Sequence, residues 1–375
     1  MSKRILSIIT CFVLVFTLFT ACGDGDIAIN YTDEMRDITS MELVSEMGIG
    51  YNLGNSLDVC NADRDGDGVI DENSEDVDET LWGNPVVTKE LIEFVKESGF
   101  NSIRIPITWR DHIDDEYNID EEWMDRVQEV VDYAYDLGLY VIINVHHDGG
   151  GDSEFGAWIR SASTDYEGVL EKYLAIWQQI CDRFEDYGDR LIFESMNEVG
   201  FDDLPEWQAY ETLNSLNQAF VDLVRASGGN NSERHLLIAG YWTDVAETCS
   251  DYFEMPDDPM DRCILSVHYY TPWQFCTTNQ QYEWGTDEEI ALMESKIELL
   301  KTYYVDKGIP VIIGEYGTCL GNDEDSRVLF CKTLVSLCSD AGIPTYIWDD
   351  GTLLERDTLT WQNSDIIKAI RKAAK

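Results

Sequence analysis

Short β-rich apolar runs alternate with longer amphipathic runs about eight times along this chain, and few folds can bury both kinds of face in that order. Units of this kind lay their strands side by side as a parallel sheet and cover it with the helices between them. The strand candidates are 48–52, 102–107, 140–145, 191–195, 235–239, 264–269, 311–315 and 345–348. The best helix candidates are 90–98, 122–137, 167–184, 206–226, 288–304 and 326–340. Gly99, Gly138, Gly308 and Gly342 each stand just before a strand, where a left-handed cap turns the chain back. The fold class is therefore α/β, a single-domain (β/α)8 TIM barrel. A doubly wound open sheet is the alternative, but no Gly-rich phosphate loop opens a helix after the first strand, and eight units suit closure better.

A chain of 375 residues accommodates one such barrel with loop insertions. Residues 1–21 read as a lipoprotein signal peptide. Lys3 and Arg4 are followed by an apolar stretch over residues 5–19 and then by Thr20-Ala21-Cys22, so that cleavage before Cys22 would leave this cysteine to take the lipid. Residues 22–39 form an acidic tether, and residues 40–375 the barrel domain, with an acidic insertion at 59–80. The expected location is secreted and extracytoplasmic, at a bacterial cell membrane reached only through the lipid. No later stretch approaches the roughly 18 uninterrupted apolar residues of a spanning helix. The net charge of -47 repels nucleic acid, anionic membrane surfaces and acidic polymers such as pectins, so the expected partner is neutral or cationic. The cysteines form no CxxC or metal-like cluster, and Cys331 and Cys338, seven apart in an apolar helical pattern, read as buried thiols.

In a barrel of this kind the chemistry sits at the C-terminal ends of the strands. Arg104 lies on the second strand, His146-His147 follow the third, Asn197-Glu198 the fourth, His268 and Tyr270 the sixth, Glu315 the seventh and Trp348 the eighth. Each alone has an ordinary structural explanation as a cap, a core histidine or an ion-pair partner. Purely structural needs would scatter such residues over both ends of the barrel, so their concentration at one end points to a site. Two carboxylates facing each other across the barrel mouth suit glycoside hydrolysis, which flanks the scissile bond with such a pair. Glu198, its carboxyl raised by the nearby charge of Glu315, would protonate the leaving oxygen, and Glu315 would attack the anomeric carbon. This scheme implies carboxyl groups about 5–5.5 Å apart and retention of configuration. Arg104 and Tyr270 would donate to Glu315, Asn197 would bind the sugar 2-hydroxyl, His146 and His268 would hold hydroxyls or tune the carboxylates, and Trp348 would stack on the sugar. Trp82, Trp158, Trp242, Trp273 and Trp284 are candidates for more distant stacking positions or for core.

At these residues the chain resembles glycoside hydrolase family 5, the clan A cellulase family, over nearly everything after about residue 40. Arg104, His146, Asn197-Glu198, His268 with Tyr270, Glu315 and Trp348 meet the family pattern. The segments around Asn55 (Gly50 to Asp58), Trp82 (Trp82-Gly83-Asn84-Pro85) and Tyr270 (His268 to Trp273) are similar to the subfamily 4 endoglucanases. The resemblance implies endo-hydrolysis of a β-1,4-linked glucan, namely cellulose, mixed-linkage β-glucan or xyloglucan. It implies no cofactor for the chemistry. The same barrel and carboxylates acting on xylan or mannan are an alternative. A non-catalytic glycan-binding lipoprotein is another, but it would have no use for Asn197, Glu198, Glu315, Arg104 and Tyr270 together.

One departure stands out. Between Asp58 and Trp82, where the resemblance implies a short loop, Asp63, Asp65, Asp67, Gly68, Ile70 and Asp71 fit the first nine positions of a calcium loop. The twelfth position is Ser74 rather than Glu; a register starting at Asn61 places Glu72 twelfth but loses the apolar eighth residue. Structural calcium on Asp63, Asp65, Asp67 and Asp71 is the expectation, with an acidic flexible loop as the alternative.

Overall fold

Eight parallel strands close on themselves in chain order: β1 (Ile49–Leu53), β2 (Ser102–Ile105), β3 (Tyr140–Asn144), β4 (Leu191–Glu194), β5 (Leu236–Asp244), β6 (Cys263–Tyr269), β7 (Val311–Tyr316) and β8 (Thr345–Asp349). Closure is made by β8 against β1, with Asn52 opposite Trp348 and Leu53 opposite Asp349. The architecture comes from a computed structural model, which describes residues 34–61, 77–149 and 157–374, all within one compact unit, Thr32–Lys375. Among the described residues no helix is long and apolar enough to cross a membrane.

The helices form the outer layer: α1 (Ser40–Met47), α2 (Lys89–Glu97), α3 (Glu121–Tyr135), α4 (Tyr166–Arg183), α5 (Glu206–Ala226), α6 (Val245–Thr248), α7 (Trp273–Cys276), α8 (Asp287–Tyr303), α9 (Glu324–Asp340) and α10 (Ser364–Ala373). Their starts are written in the sequence. Thr286 caps α8 through the Glu289 amide while the Glu289 side chain accepts from the Thr286 amide, and Thr39 with Glu42 does the same for α1. Gly99, Gly138, Gly308 and Gly342 all have φ between 74° and 97°, which is the left-handed cap expected of them.

The barrel interior is layered. At the N-terminal end Ile142, Ile192, Leu237, Ile264, Ile312 and Tyr346 fill the lumen, and α1 closes it from below with Leu43, Val44 and Met47. Each aliphatic side chain buried there stabilises the fold by roughly 1.5–3 kcal/mol. Gly50 is required at this level, because a Cβ on it would stand 2.1 Å from the Tyr346 ring. One turn higher the lumen becomes polar, with Asn52, Arg104, Asn144, Glu194 and Ser266 fully or almost fully buried. This polar layer is the floor of the site.

The observed strands differ from expectation most at β5. It runs on to Asp244 through a register shift after Ala239, and Trp242 and Thr243 take left-handed φ values of 50° and 48°. Helices α1, α6, α7 and α10 and a small hairpin, β9 (Leu354–Glu355) with β10 (Thr360–Trp361), were not among the expected elements.

Candidate active site

The site is built on Arg104. Its guanidinium is completely buried and donates from Nε to Glu194 at 2.6 Å, from Nη1 to Glu315 at 2.7 Å and to Asn52 at 3.0 Å, and from Nη2 to Asn197 at 3.0 Å. Burial alone would lower its basicity, but the two carboxylates outweigh that and hold it charged. Glu194 accepts further from Ser266 at 2.7 Å and from Asn144 at 3.0 Å. A buried cation with this number of acceptors is fixed in place, and so is everything it holds.

Glu315 is the penultimate residue of β7 and accepts from Tyr270 as well, at 3.0 Å. Glu198 follows β4 and has a different partner: His268 Nδ1 lies 2.7 Å from its Oε1 and 3.5 Å from Glu315 Oε2. One oxygen of each glutamate and a ring nitrogen of His268 all lie within 4.8 Å of one another. That is the close spacing of a retaining pair rather than the roughly 6.5–9.5 Å that leaves room for an attacking water. The nitrogen flanked by two carboxylates carries the proton, and His268 Nε2 has no hydrogen-bond partner among the described residues.

The protonation expected of Glu198 is corrected here. Burial pushes its carboxyl up, but the hydrogen bond and charge of His268, with Arg104 and His147 behind it, outweigh burial and hold it below the usual range. Glu315 goes the other way: burial, reinforced by the charge of Glu198, outweighs His268 and Arg104 and raises it. The sequence shows that the two glutamates meet, but not that His268 sits against Glu198.

The third-strand residues are oriented by a chain of bonds. Asn144 Oδ1 accepts the Ile107 amide at 3.1 Å, which fixes the orientation of its NH2 group. That group donates to Glu194 and, at 3.1 Å, to His146 Nδ1. His146 is nearly fully buried and burial keeps it neutral, so its remaining Nε2–H is the group free to donate. His147 Nε2 stands 3.8 Å from Asp58 Oδ2, and its ring packs 5.5 Å from Trp82. Trp348 lies parallel to His146 with centroids 5.9 Å apart, over Gly54, where a Cβ would come within 2.5 Å of its ring.

Two cavities meet at the glutamates. One, of about 580 Å³, is lined by His146, His147, Asn197, Glu315 and Trp348; the other, of about 560 Å³, is lined by Arg160, Asp202, Trp242, Asp244 and His268. Glu198, Tyr270 and Trp273 line both, so the groove runs past the carboxylates in both directions. Trp242 forms a wall of the second cavity, with the Arg160 guanidinium 4.9 Å from its ring centroid. Trp273 is 56% exposed at the junction.

Other sequence candidates fall elsewhere. Trp284 is core, 5% exposed and edge-on to Phe330. Trp158 is tied down by Asp148 at 2.7 Å. Asn55 lines neither cavity; it takes a left-handed φ of 53° and its carbonyl accepts from Asn84 at 2.8 Å. Trp82 also lines neither, and reaches the groove through His147. Cys331 and Cys338 are buried thiols, as expected. Asp63, Asp65, Asp67, Asp71 and Cys22 lie outside the described residues. The sequence reading missed Glu194, Asn52, Asn144, Ser266 and Asp58. The alternation of β2, β3 and β4 was the available signal, because it places Arg104, Asn144 and Glu194 on the lumen side at or beside the C-terminal ends of their strands.

Residues 62–352 match the family model described as Cellulase (glycosyl hydrolase family 5). Endoglucanase A of Ruminococcus albus is 40% identical over 365 residues, covering 91% of this chain and 94% of that protein. The cellulase/esterase CelE of Acetivibrio thermocellus is 37% identical over 359 residues, but the chain spans only 41% of it. Among solved structures, a GH5-4 broad specificity endoglucanase from Ruminococcus champanellensis with bound cellotriose superposes with a TM-score of 0.80 at 34% identity, over 90% of this chain and 99% of that one. With the closed barrel, the paired glutamates and the Arg104 network already in place, these matches show that the chain belongs to glycoside hydrolase family 5.

Proposed function

We propose that this protein is a retaining endo-β-1,4-glucanase in which Glu315 is the nucleophile and Glu198 the acid/base. The observation that carries the reading is the asymmetry of two close carboxylates: Glu315 is held by a buried guanidinium and a phenol, while among the described residues Glu198 is held by the imidazole. Donors fixed on Glu315 aim one oxygen and stabilise its anion, as attack requires. Glu198 is the more open of the two, its side chain 30% exposed against 7% for Glu315. A sugar laid over it removes that water and raises its carboxyl, so substrate binding moves the proton to where the leaving oxygen needs it.

In the first step Glu315 attacks the anomeric carbon, the glycosidic C–O bond breaks, and Glu198 gives its proton to the departing oxygen. In the second, Glu198 takes a proton from water as that water displaces Glu315, which leaves as a carboxylate. Arg104 accompanies the charge on Glu315 through both steps. Asn197 Oδ1 is engaged by Arg104, which leaves its NH2 to donate to the sugar 2-hydroxyl, and the His146 Nε2–H is available for a neighbouring hydroxyl. A groove that continues on both sides of the glutamates admits an internal bond of a long chain, which is endo action. The names of the relatives support a β-1,4-glucan substrate, and broad specificity in one of them supports a panel rather than a single polymer.

The test is viscometry on carboxymethylcellulose, barley β-glucan, xyloglucan, xylan and mannan with wild type and Glu315→Ala. Rapid viscosity loss on the glucans that vanishes in the variant supports the reading. Binding without cleavage by the wild type would replace it with the glycan-binding alternative, and cleavage confined to xylan or mannan would move the substrate.

The lipid on Cys22 and the calcium on residues 63–71 belong to the same reading. Cys22→Ala should move the protein from the membrane to the soluble fraction. Calcium at millimolar concentration should raise the melting temperature and a chelator should lower it. An unchanged fractionation or an unchanged melting temperature removes the respective assignment.

A further inference from the structure

We propose that the groove between α5 and residues 251–256 is a second glucan-binding site, outside the catalytic cleft. It has a volume of about 540 Å³ and shares no lining residue with either cavity of the cleft. Two of its walls are aromatic rings turned to solvent, Trp207 at 57% exposure and Tyr252 at 48%. Trp207 is the second residue of α5, on the flank that carries Glu211, Asn214 and Gln218 and turned away from Ala209, Leu213 and Leu216, which bury against the barrel. Packing gives no reason for an indole there, and leaving it in water is unfavourable.

The groove is held in a fixed shape. Asn214 of α5 donates to the Tyr252 carbonyl at 2.9 Å and accepts the Glu254 amide at 3.3 Å. One turn on, Gln218 donates to the Asp257 carbonyl at 3.1 Å and accepts the Asp257 amide at 2.8 Å. Two side-chain amides thus clip the segment to the helix, and the two rings stand on a frame that needs no rearrangement to receive a ligand. The frame is continuous with the cleft. The Tyr252 ring abuts Tyr210 at 5.9 Å, Tyr210 stacks on Tyr241 at 4.1 Å, and Tyr241 meets Trp242, the wall of the second cavity, at 6.5 Å.

The lining selects the ligand. Flat apolar rings accept the C–H faces of a pyranose, and the exposed carboxylates of Glu211 and Asp251 accept its hydroxyls. No Lys or Arg lines the groove, and the chain carries a net charge of -47, which disfavours an anionic polymer. A neutral β-glucan chain fits these terms, so the site would hold a second stretch of the polymer whose other part lies in the cleft. This assignment rests on the glucanase reading of the cleft.

The experiment is native electrophoresis through gels containing barley β-glucan, with Glu315→Ala to prevent cleavage, alone and combined with Trp207→Ala or with Trp207→Ala and Tyr252→Ala. Removing the second contact is expected to weaken retardation by about tenfold in apparent affinity, since two linked contacts bind a polymer more tightly than one. In the otherwise wild-type protein the same substitutions should leave kcat/KM on cellotetraose and the melting temperature unchanged. Trp207→Ala alone guards against a folding defect, because of the two substituted rings it is Tyr252 that packs on Tyr210. Unchanged retardation overturns the second site while leaving the cleft assignment intact. A parallel fall in cellotetraose turnover overturns it by making the groove part of the cleft. A shift from dimer to monomer in the variants overturns it in favour of a contact between copies. If Glu315→Ala is not retarded at all while wild type cleaves nothing, the glucanase reading itself fails.

Discussion

Replacing Arg104 with Met tests whether the site's geometry is held from beneath. The side chain is fully buried and bonds Glu194, Glu315, Asn52 and Asn197 at 2.6–3.0 Å. Met keeps an unbranched apolar stem but ends short of the guanidinium position and leaves two carboxylates in the lumen without their cation. Removing one partner of a buried ion pair costs about 3–5 kcal/mol, most of it from the charge left behind. Unfolding of about 340 residues at roughly 2.1 cal/mol/K each gives an entropy near ~0.7 kcal/mol/K, so the melting temperature should fall by about 4–7 °C. The loss should depend on pH with a definite sign. Glu315 is already held above the usual carboxylate range by burial, and losing a cation that lowers it moves it further up. A carboxyl raised in the folded state costs stability as pH rises through the interval between its unfolded and folded values, so the deficit should be largest at neutral pH and shrink in acid. Adding Glu194→Gln removes one stranded charge and should recover part of the loss, about 1–3 kcal/mol. Thermal unfolding of wild type, single and double variants between pH 4 and 8 decides the matter. A single-variant loss below about 1 kcal/mol, a deficit that grows in acid, or a double variant no more stable than Arg104→Met would refute the reasoning.

Three further substitutions probe separate parts of the site. Glu198→Ala should lower kcat/KM on cellotetraose by about 10²–10⁴ while nearly sparing kcat/KM on an aryl cellobioside whose leaving group needs no proton, with kcat on the aryl substrate falling because the second step still lacks its base; equal loss of kcat/KM on both would remove its role as acid. His268→Ala takes away the hydrogen bond and charge that hold Glu198 down, so the alkaline limb of the kcat/KM profile should move to higher pH, and a limb that stays put or moves down contradicts the assignment. Asp58 is fully buried and burial pushes its carboxyl up to about 6 against the lowering effect of the Ser56 amide, while its Oδ2 has no hydrogen-bond partner among the described residues. Its folded value lies above its unfolded one, so it costs stability as pH rises from about 4 to 6. Asp58→Asn should therefore gain up to about 3 kcal/mol at pH 7 and nothing below pH ~4 in denaturant unfolding. A less stable Asn variant at neutral pH, or a pH-independent difference, would count against it.

Much of the fold was legible because its signals are local. Alternation and the Gly99, Gly138, Gly308 and Gly342 caps fix the βα units, and the strand-end residues Arg104, Asn197, Glu198, His268, Tyr270, Glu315 and Trp348 come together as the topology requires. What escaped was set by contacts between distant segments. Glu194 reads as one more residue of a short strand until Arg104, 90 positions earlier, is seen against it. The proton balance of Glu198 depends on His268, 70 positions away. Trp284 and Trp242 are indistinguishable as letters; one packs on Phe330 in the core, and the other is swung to the groove by two left-handed residues at the β5 irregularity. Helix α10 was within reach, since Asn363 caps it and Ile366, Ile367 and Ile370 mark its buried face.

The central claim is that Glu315 and Glu198 form a double-displacement pair, one oxygen of each lying within 4.8 Å. Proton NMR of cellotetraose during the first minutes of hydrolysis tests it most directly, because the anomer released first records the stereochemistry before mutarotation erases it. The account predicts that the β-anomer appears first and the α-anomer only later. An α-anomer released first would mean direct displacement by water, and neither the nucleophile nor the covalent intermediate assigned to Glu315 would survive that result.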